Sequence, residues 1–330
     1  MATFTNVQAT NWQSNDKPHE GREIVHPSWG VEHGVRSMSE TLFLHYDRAA
    51  LDAEYDNRAK VTGAEDYIAQ WNARSKEARS EFECNLDLAY GPSNTETLDI
   101  FPSNTPGKSP INIFFHGGYW RANHKEQFSY VAYSLRGTGA ITVIVNYALV
   151  PEVSFDELVR QCRAALAWVW KNANHFGGDR DKIFVSGHSA GGHLVAMMMA
   201  TDWPKFDIGL PAQPICGGCG ISGLYDLEPI RLCFLNEDLK LSEETARRNS
   251  PMKQRRTCLA PLLLPVGASE GPEYLRQSNE LSEAWSHSGE TPKVLVMPDH
   301  NHFSIATQLD DPNSKLSQAL QHQMNLNPST

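Results

Sequence analysis

Residues 182–193 read Lys-Ile-Phe-Val-Ser-Gly-His-Ser-Ala-Gly-Gly-His. The apolar run Ile183–Val185 leads into Gly187, Ser189 and Gly191, which complete G-x-S-x-G, and a helix-prone stretch follows from Ala190. This order predicts a strand that turns sharply into a helix with a serine on the turn. The glycines remove side chains that would clash there, and the serine is expected in a strained conformation, exposed at the C-terminal edge of a sheet. The five-residue pattern alone is common by chance. A strand before it and a helix after it give it weight.

Outward from that turn, short apolar runs alternate with helical stretches. The runs 111–115 (INIFF), 141–147 (ITVIVNY) and 182–187 (KIFVSG) are separated by helices expected near Phe128–Arg136 and Phe155–Asn174. Later runs 214–222 (PICGGCGIS), 261–267 (PLLLPVG) and 293–298 (KVLVMP) supply three more strands, with a polar, helix-prone insertion between Asp226 and Arg256. Strands alternating with helices are the mark of parallel βαβ units buried on both faces. The expected fold class is therefore α/β, a mostly parallel doubly wound sheet. An antiparallel hairpin is predicted over Leu86–Phe101, turning at Gly91-Pro92. Before it, residues 39–82 carry apolar positions at helical spacing, broken near Thr62-Gly63, and predict two amphipathic helices. Residues 1–38 are polar and aperiodic and read as an extended arm. The expected organisation is arm (1–38), helical addition (39–82) and catalytic domain (83–330).

Composition narrows the function. The chain has 330 residues, 40% of them hydrophobic and 21% charged, within the ordinary range of soluble globular proteins. Its formal charge of -10 offers nothing to a phosphate backbone, and the basic residues Lys253, Arg255 and Arg256 form only a short cluster, so nucleic acid is not an expected partner. No apolar run spans a bilayer and the N-terminus lacks the pattern of a secretory signal, which makes the cytoplasm the default location and a membrane role unexpected. Six scattered cysteines read as reduced thiols. Cys216 and Cys219 have CxxC spacing but no second ligand pair, so no metal is expected there.

Two further segments carry chemistry. In residues 111–120, INIFFHGGYW, a buried strand runs into His116, Gly117, Gly118, Tyr119 and Trp120. This matches a loop that offers backbone N–H groups to an oxyanion. The expected donors are Gly118 and Tyr119, with Ala190 after the serine. His116 is expected to brace the loop, because the base follows the nucleophile in this chain order. The acid should follow a strand, and Glu270 does so just past Pro261–Val266; Glu273 and Asp299 are rivals, one a helix-start residue and the other a turn former. The base should follow the last strand, where residues 298–304 read PDHNHFS. His302, directly before Phe303, is preferred to His300; a metal held by both histidines would need a third ligand.

The segments HGGYW, GHSAGGH, ISGLYDLEPI, GASEGPEYLRQS and NHFSI resemble the kynurenine formamidase (arylformamidase) branch of the α/β-hydrolases, near the hormone-sensitive-lipase-like carboxylesterases. The resemblance runs roughly from Glu54 to Leu309. It implies the α/β-hydrolase fold, with nucleophile Ser189, acid Glu270 and base His302. The family often has aspartate as its acid, and Tyr119 and Trp120 stand where lipase-like esterases have a third glycine. Gly117, Tyr119, Trp120 and His188 complete the expected substrate-binding set, and the bulk of residues 119 and 120 is expected to restrict the acyl group.

The implied chemistry is cleavage of a small-acyl amide or ester through an acyl-enzyme, with no cofactor. A short-chain carboxylesterase uses the same parts. A non-catalytic binding module of this fold would usually have lost one of them. The expected partner is a small-molecule substrate, and the sequence leaves room for a homo-oligomer. Tyr46, Tyr55, Tyr67 and Trp71 are candidates to roof an aromatic substrate, with core packing as the plainer role for each.

Overall fold

The computed structural model describes residues 40–326. The polar arm over residues 1–38 lies outside them. Eight strands form one sheet: β1 (Asn85–Ala89), β2 (Thr97–Phe101), β3 (Ser109–Phe115), β4 (Ile141–Val145), β5 (Gly178–His188), β6 (Gly217–Ile221), β7 (Leu262–Gly267) and β8 (Lys293–Met297). Their order is β1-β2-β4-β3-β5-β6-β7-β8. The hairpin β1–β2 and the pair β2–β4 are antiparallel. Every pairing from β4 through β3 to β8 is parallel.

The central strands are apolar on both faces because both faces are covered. In β3, Ile111, Ile113 and Phe115 join one buried cluster while Phe114 joins another, the period-two alternation of a strand with helices on either side. The first cluster takes Leu158, Cys162, Leu166 and Val169 from helix α4 (Phe155–Asn172), whose N-terminus is capped by Ser154 accepting from the Glu157 N–H. The second takes Phe128 and Val131 from a 3₁₀ helix, Lys125–Leu135, and Leu316 and Leu320 from the helix Lys315–Gln323. Burying each of these large side chains contributes about 1.5–3 kcal/mol.

The N-terminal addition differs from the two helices read in the sequence. There are three: α1 (Arg48–Tyr55), α2 (Asn57–Lys60) and α3 (Ala64–Glu81). Asp56 ends α1 in a non-helical conformation and caps α2 by accepting from the Ala59 N–H. A side-chain cap of this kind restarts a helix within an unbroken amphipathic pattern. Helix α3 buries Trp71, Ser75 and Ala78 along one face, at the spacing of an amphipathic helix. The polar insertion forms three short helices, Glu228–Leu232, Asn236–Leu239 and Glu243–Arg248. Among the described residues no helix is long and apolar enough to cross a membrane.

Candidate active site

The C-terminal ends of β3 and β5 and the loop after β8 open onto a cleft of about 560 Å³. Ser189 lies on its floor at φ 58° and ψ -119°, between β5 and helix α5 (Ala190–Met199). A serine at positive φ costs energy that surrounding structure must hold in place. Here the Ser189 N–H donates to the Ile221 carbonyl at the end of β6 (2.8 Å). The crossing is too tight for a side chain at Gly191, where a Cβ would stand 1.9 Å from the Phe115 carbonyl oxygen.

The structure brings Ser189, His302 and Glu270 into one hydrogen-bonded line. His302 Nε2 lies 3.0 Å from Ser189 Oγ, and His302 Nδ1 lies 2.6 Å from Glu270 Oε2. A carboxylate can only accept here, so the Nδ1 proton points at Glu270 and the Nε2 lone pair faces the serine. The other oxygen of Glu270 accepts from Ser222 Oγ (2.6 Å) and from the Gly267 N–H (2.5 Å). All three side chains are buried. The rivals lie elsewhere. Glu273 is buried against Tyr55 and Arg276, Asp299 is exposed on a turn at φ 61°, and His300 Nδ1 faces Ser304 Oγ.

The loop after β3 folds back over the serine. Gly118 sits at φ 120°, and a Cβ there would stand 2.3 Å from the Ala122 carbonyl oxygen; that carbonyl belongs to a turn in which Gly118 O accepts from both Arg121 and Ala122. Neither the Gly118 nor the Tyr119 N–H donates to another described group. The Ala190 N–H opens α5, in the first turn, where a helix leaves its amides without partners. These amides stand in the loop and helix start beside Ser189, and the N-terminus of α5 adds positive partial charge. His116 donates from Nδ1 to the Gly117 carbonyl (2.8 Å), and Asn123 donates to the same oxygen (3.2 Å). This clamps the peptide whose other end is the Gly118 N–H.

Three neutral histidines surround this centre. Burial drives His116 and His193 down to about 4. His188 is held well below the usual imidazole range, first by burial and then by the nearby His302. It lines the cleft and bonds through Nε2 to the His302 carbonyl (2.9 Å).

Gly117, Tyr119 and His188 line the cleft, and Trp120 does not. The Trp120 indole is fully buried, donates to His193 Nδ1 (3.2 Å) and packs on Phe155, so its expected place in the substrate-binding set is corrected to core packing. Of the four aromatic candidates in the helical addition, Tyr55 and Trp71 line the cleft; Tyr67 instead stacks near Phe303 and Tyr46 is buried away from it. Sequence reasoning missed Asn57, Tyr274 and Ser222, whose roles depend on contacts between distant segments, and Asn123, which bonds back onto its own loop. Among the described residues no group of three or more His, Cys, Asp or Glu side chains could hold a metal ion. All six cysteines are free thiols.

A zebrafish (Danio rerio) kynurenine formamidase is 34% identical over 260 residues, spanning 77% of this chain and 86% of that protein. This chain is an α/β-hydrolase of the kynurenine formamidase and esterase branch. The BD-FAE family model matches residues 98–210 of this α/β-hydrolase, a stretch that holds the Gly117–Tyr119 loop and Ser189. A solved structure from Silicibacter sp. described as a thioesterase is similar at 31% identity, with a TM-score of 0.72 over 81% of this chain and 97% of that one. An esterase from Pyrobaculum calidifontis shares the fold at 18% identity, with a TM-score of 0.65 over 84% of this chain and 96% of that one. With its branch this α/β-hydrolase shares esterase-type hydrolase activity on small acyl substrates.

Proposed function

We propose that the chain is a serine hydrolase that cleaves a small-acyl aryl amide of the formamide type through an acyl-enzyme. The line Ser189–His302–Glu270 carries this reading, because its hydrogen bonds leave a basic nitrogen 3.0 Å from a strained serine beside free amide donors. In this cycle His302 takes the Ser189 proton as Oγ attacks the carbonyl, and Glu270 stabilises the resulting imidazolium. The N–H groups of Gly118, Tyr119 and Ala190 receive the oxyanion, a contribution of about 3–4 kcal/mol per donor. His302 then passes its proton to the leaving amine. Water, activated by the same nitrogen, releases the acyl group.

The aryl-formamide class rests on two supports. One is the similarity to a kynurenine formamidase over most of both chains. The other is the cleft wall, where Tyr55, Trp71, Phe128 and Phe303 give aromatic surfaces. A short-chain carboxylesterase is the second reading, supported by the esterase and thioesterase relatives. Side-by-side hydrolysis of the N-formyl amide of kynurenine and of p-nitrophenyl acetate and butyrate decides between them. The aryl-formamide reading requires the higher kcat/KM on the formamide; a higher value on both esters moves the assignment to carboxylesterase.

A further inference from the structure

We infer that Asn57, in the N-terminal helical addition, is a positioning residue for the oxyanion loop and acts through the hydroxyls of Tyr119 and Tyr274. This rests on the serine hydrolase reading above. Asn57 opens helix α2 and is buried, with its amide nitrogen 2.8 Å from Tyr119 Oη and 2.7 Å from Tyr274 Oη. The two hydroxyls lie 2.8 Å apart, and Tyr119 donates to the Tyr55 carbonyl at 2.7 Å.

Counting protons fixes every direction in this group. The Tyr55 carbonyl can only accept, so the single hydroxyl proton of Tyr119 is committed to it. Tyr119 Oη must then accept from both of its other neighbours, and the proton between the two tyrosines belongs to Tyr274. Tyr274 Oη is left as an acceptor towards Asn57. The amide of Asn57 therefore gives one proton to each hydroxyl, and its orientation is set, with Oδ1 left without a partner among the described residues. The chain runs Tyr274 to Tyr119 to the Tyr55 carbonyl, with Asn57 donating into it twice.

The same tyrosines reach the reacting groups. The backbone N–H of Tyr119 is a proposed oxyanion donor, and that residue sits at φ 49°, which a tyrosine does not adopt without outside support. The Tyr274 ring stands 4.7 Å, centroid to centroid, from the ring of His302. Asn57 thus bridges the oxyanion loop and the tyrosine packed beside the base. Positioned donors carry much of the rate in such sites, so loosening this support lowers turnover more than substrate binding.

The test uses the full-length protein, with p-nitrophenyl acetate as substrate and a phenyl trifluoromethyl ketone as a probe that forms an oxyanion on Ser189. Asn57→Asp keeps the shape and removes both donated protons; Tyr119→Phe removes the hydroxyl that receives one of them. Each variant is expected to lower kcat by about tenfold to a hundredfold with KM nearly unchanged, less than outright loss of a donor. Ketone affinity should fall in step with kcat/KM. The double variant should lose little more than the worse single one, because both changes break the same chain. Unchanged kcat, a loss carried by KM alone, or losses that multiply in the double variant would overturn the inference. If Asn57→Asp does not fold, Tyr274→Phe decides in its place, and full kcat there overturns it as well. A wild-type protein with no Ser189-dependent hydrolysis brings down the functional reading with it; Ser189-dependent hydrolysis alongside indifferent variants brings down this inference alone.

Discussion

In the floor of the cleft, the proposed nucleophile, acid and base stand just past the ends of β5, β7 and β8, held largely by backbone carbonyls, amides and one another. In the roof, Tyr55, Asn57 and Trp71 come from helices α1 to α3 and are fixed by side chains from distant parts of the chain; the Asn57–Tyr274 bond spans 217 residues. The floor is a property of strand ends. The roof is a property of tertiary contacts, and changes to the two regions should therefore fail in different ways.

The largest effect belongs to the floor. Ser189→Ala should lower kcat about a million-fold while thermal stability stays near wild type, because the hydroxyl faces the cleft. His302→Ala should do nearly as much, and His300→Ala, whose ring pairs with Ser304 and not with Ser189, should do little. Turnover and melting temperature measured together check this; a His300 variant worse than the His302 variant would move the base by two residues.

The next test separates two buried glutamates. Glu270→Gln should lower kcat by about ten-thousandfold, since an amide can hold His302 in the wrong tautomer. Glu273→Gln should leave kcat close to wild type but cost about 1–3 kcal/mol of stability, because its charge serves Tyr55 and Arg276. Kinetics and denaturant melts on both variants give the answer. A Glu273 variant that is catalytically dead would erase the distinction between floor and roof.

Acyl selectivity tests where the two regions meet. Tyr119 lines the cleft with its hydroxyl tied down by three partners, so its ring cannot swing aside for a longer acyl chain. Along a p-nitrophenyl series from acetate to octanoate, kcat/KM should fall by roughly tenfold for each methylene that cannot be housed. Tyr119→Gly should flatten the profile. With Trp120 in the core, Tyr119 is the one of the two bulky loop residues that can set this limit, and a flat wild-type profile would show that the acyl side is open.

The smallest effect is in stability against pH. His116 and His193 titrate near 4 when folded but near 6.5 when unfolded, and His188 is depressed as well. The unfolded chain takes up protons first as pH falls, so stability is complete above 6.5 and is lost between 6.5 and 4. His116 and His193 each contribute up to about 1.4 kcal/mol per pH unit in that window. Melting temperatures from pH 8 to 4 should be level and then drop; a level curve down to 4 would mean that these rings are hydrated.

The strand-to-helix turn at Ser189, the loop at Gly117–Tyr119 and the parallel sheet were legible because each is written in adjacent residues. The strands themselves could be read from short apolar runs, since both faces of the sheet are covered. Asp56 hid the break between α1 and α2, because its side chain caps a new helix inside an apolar pattern that continues across it. Trp120 was misplaced for a related reason. Its neighbour faces the cleft, and two successive residues at positive φ turned the indole into the core. Ser222 and Tyr274 fell within segments marked by the family resemblance, but their bonds to Glu270 and Tyr119 exist only once strands from distant parts of the chain lie side by side.

The cleft is covered from two separate directions, by α1 to α3 and by the insertion around Phe234 and Asp238, which meets α1 where the Phe234 N–H donates to Asp52 (2.7 Å) and the oxyanion loop where Arg121 pairs with Asp238. Neither cover contains any of the three reacting groups. Exchanges at their cleft-facing positions can therefore alter which molecules are admitted, provided that Asn57, which bonds to Tyr119, and Asn249, whose carbonyl accepts from His193 of α5, stay in place. New substrate ranges are accessible to this scaffold by varying the cleft-facing positions of the covers, and a library at Ile68, Phe234 and Leu235 that holds Tyr55, Asn57 and the strand ends fixed is the economical way to search them.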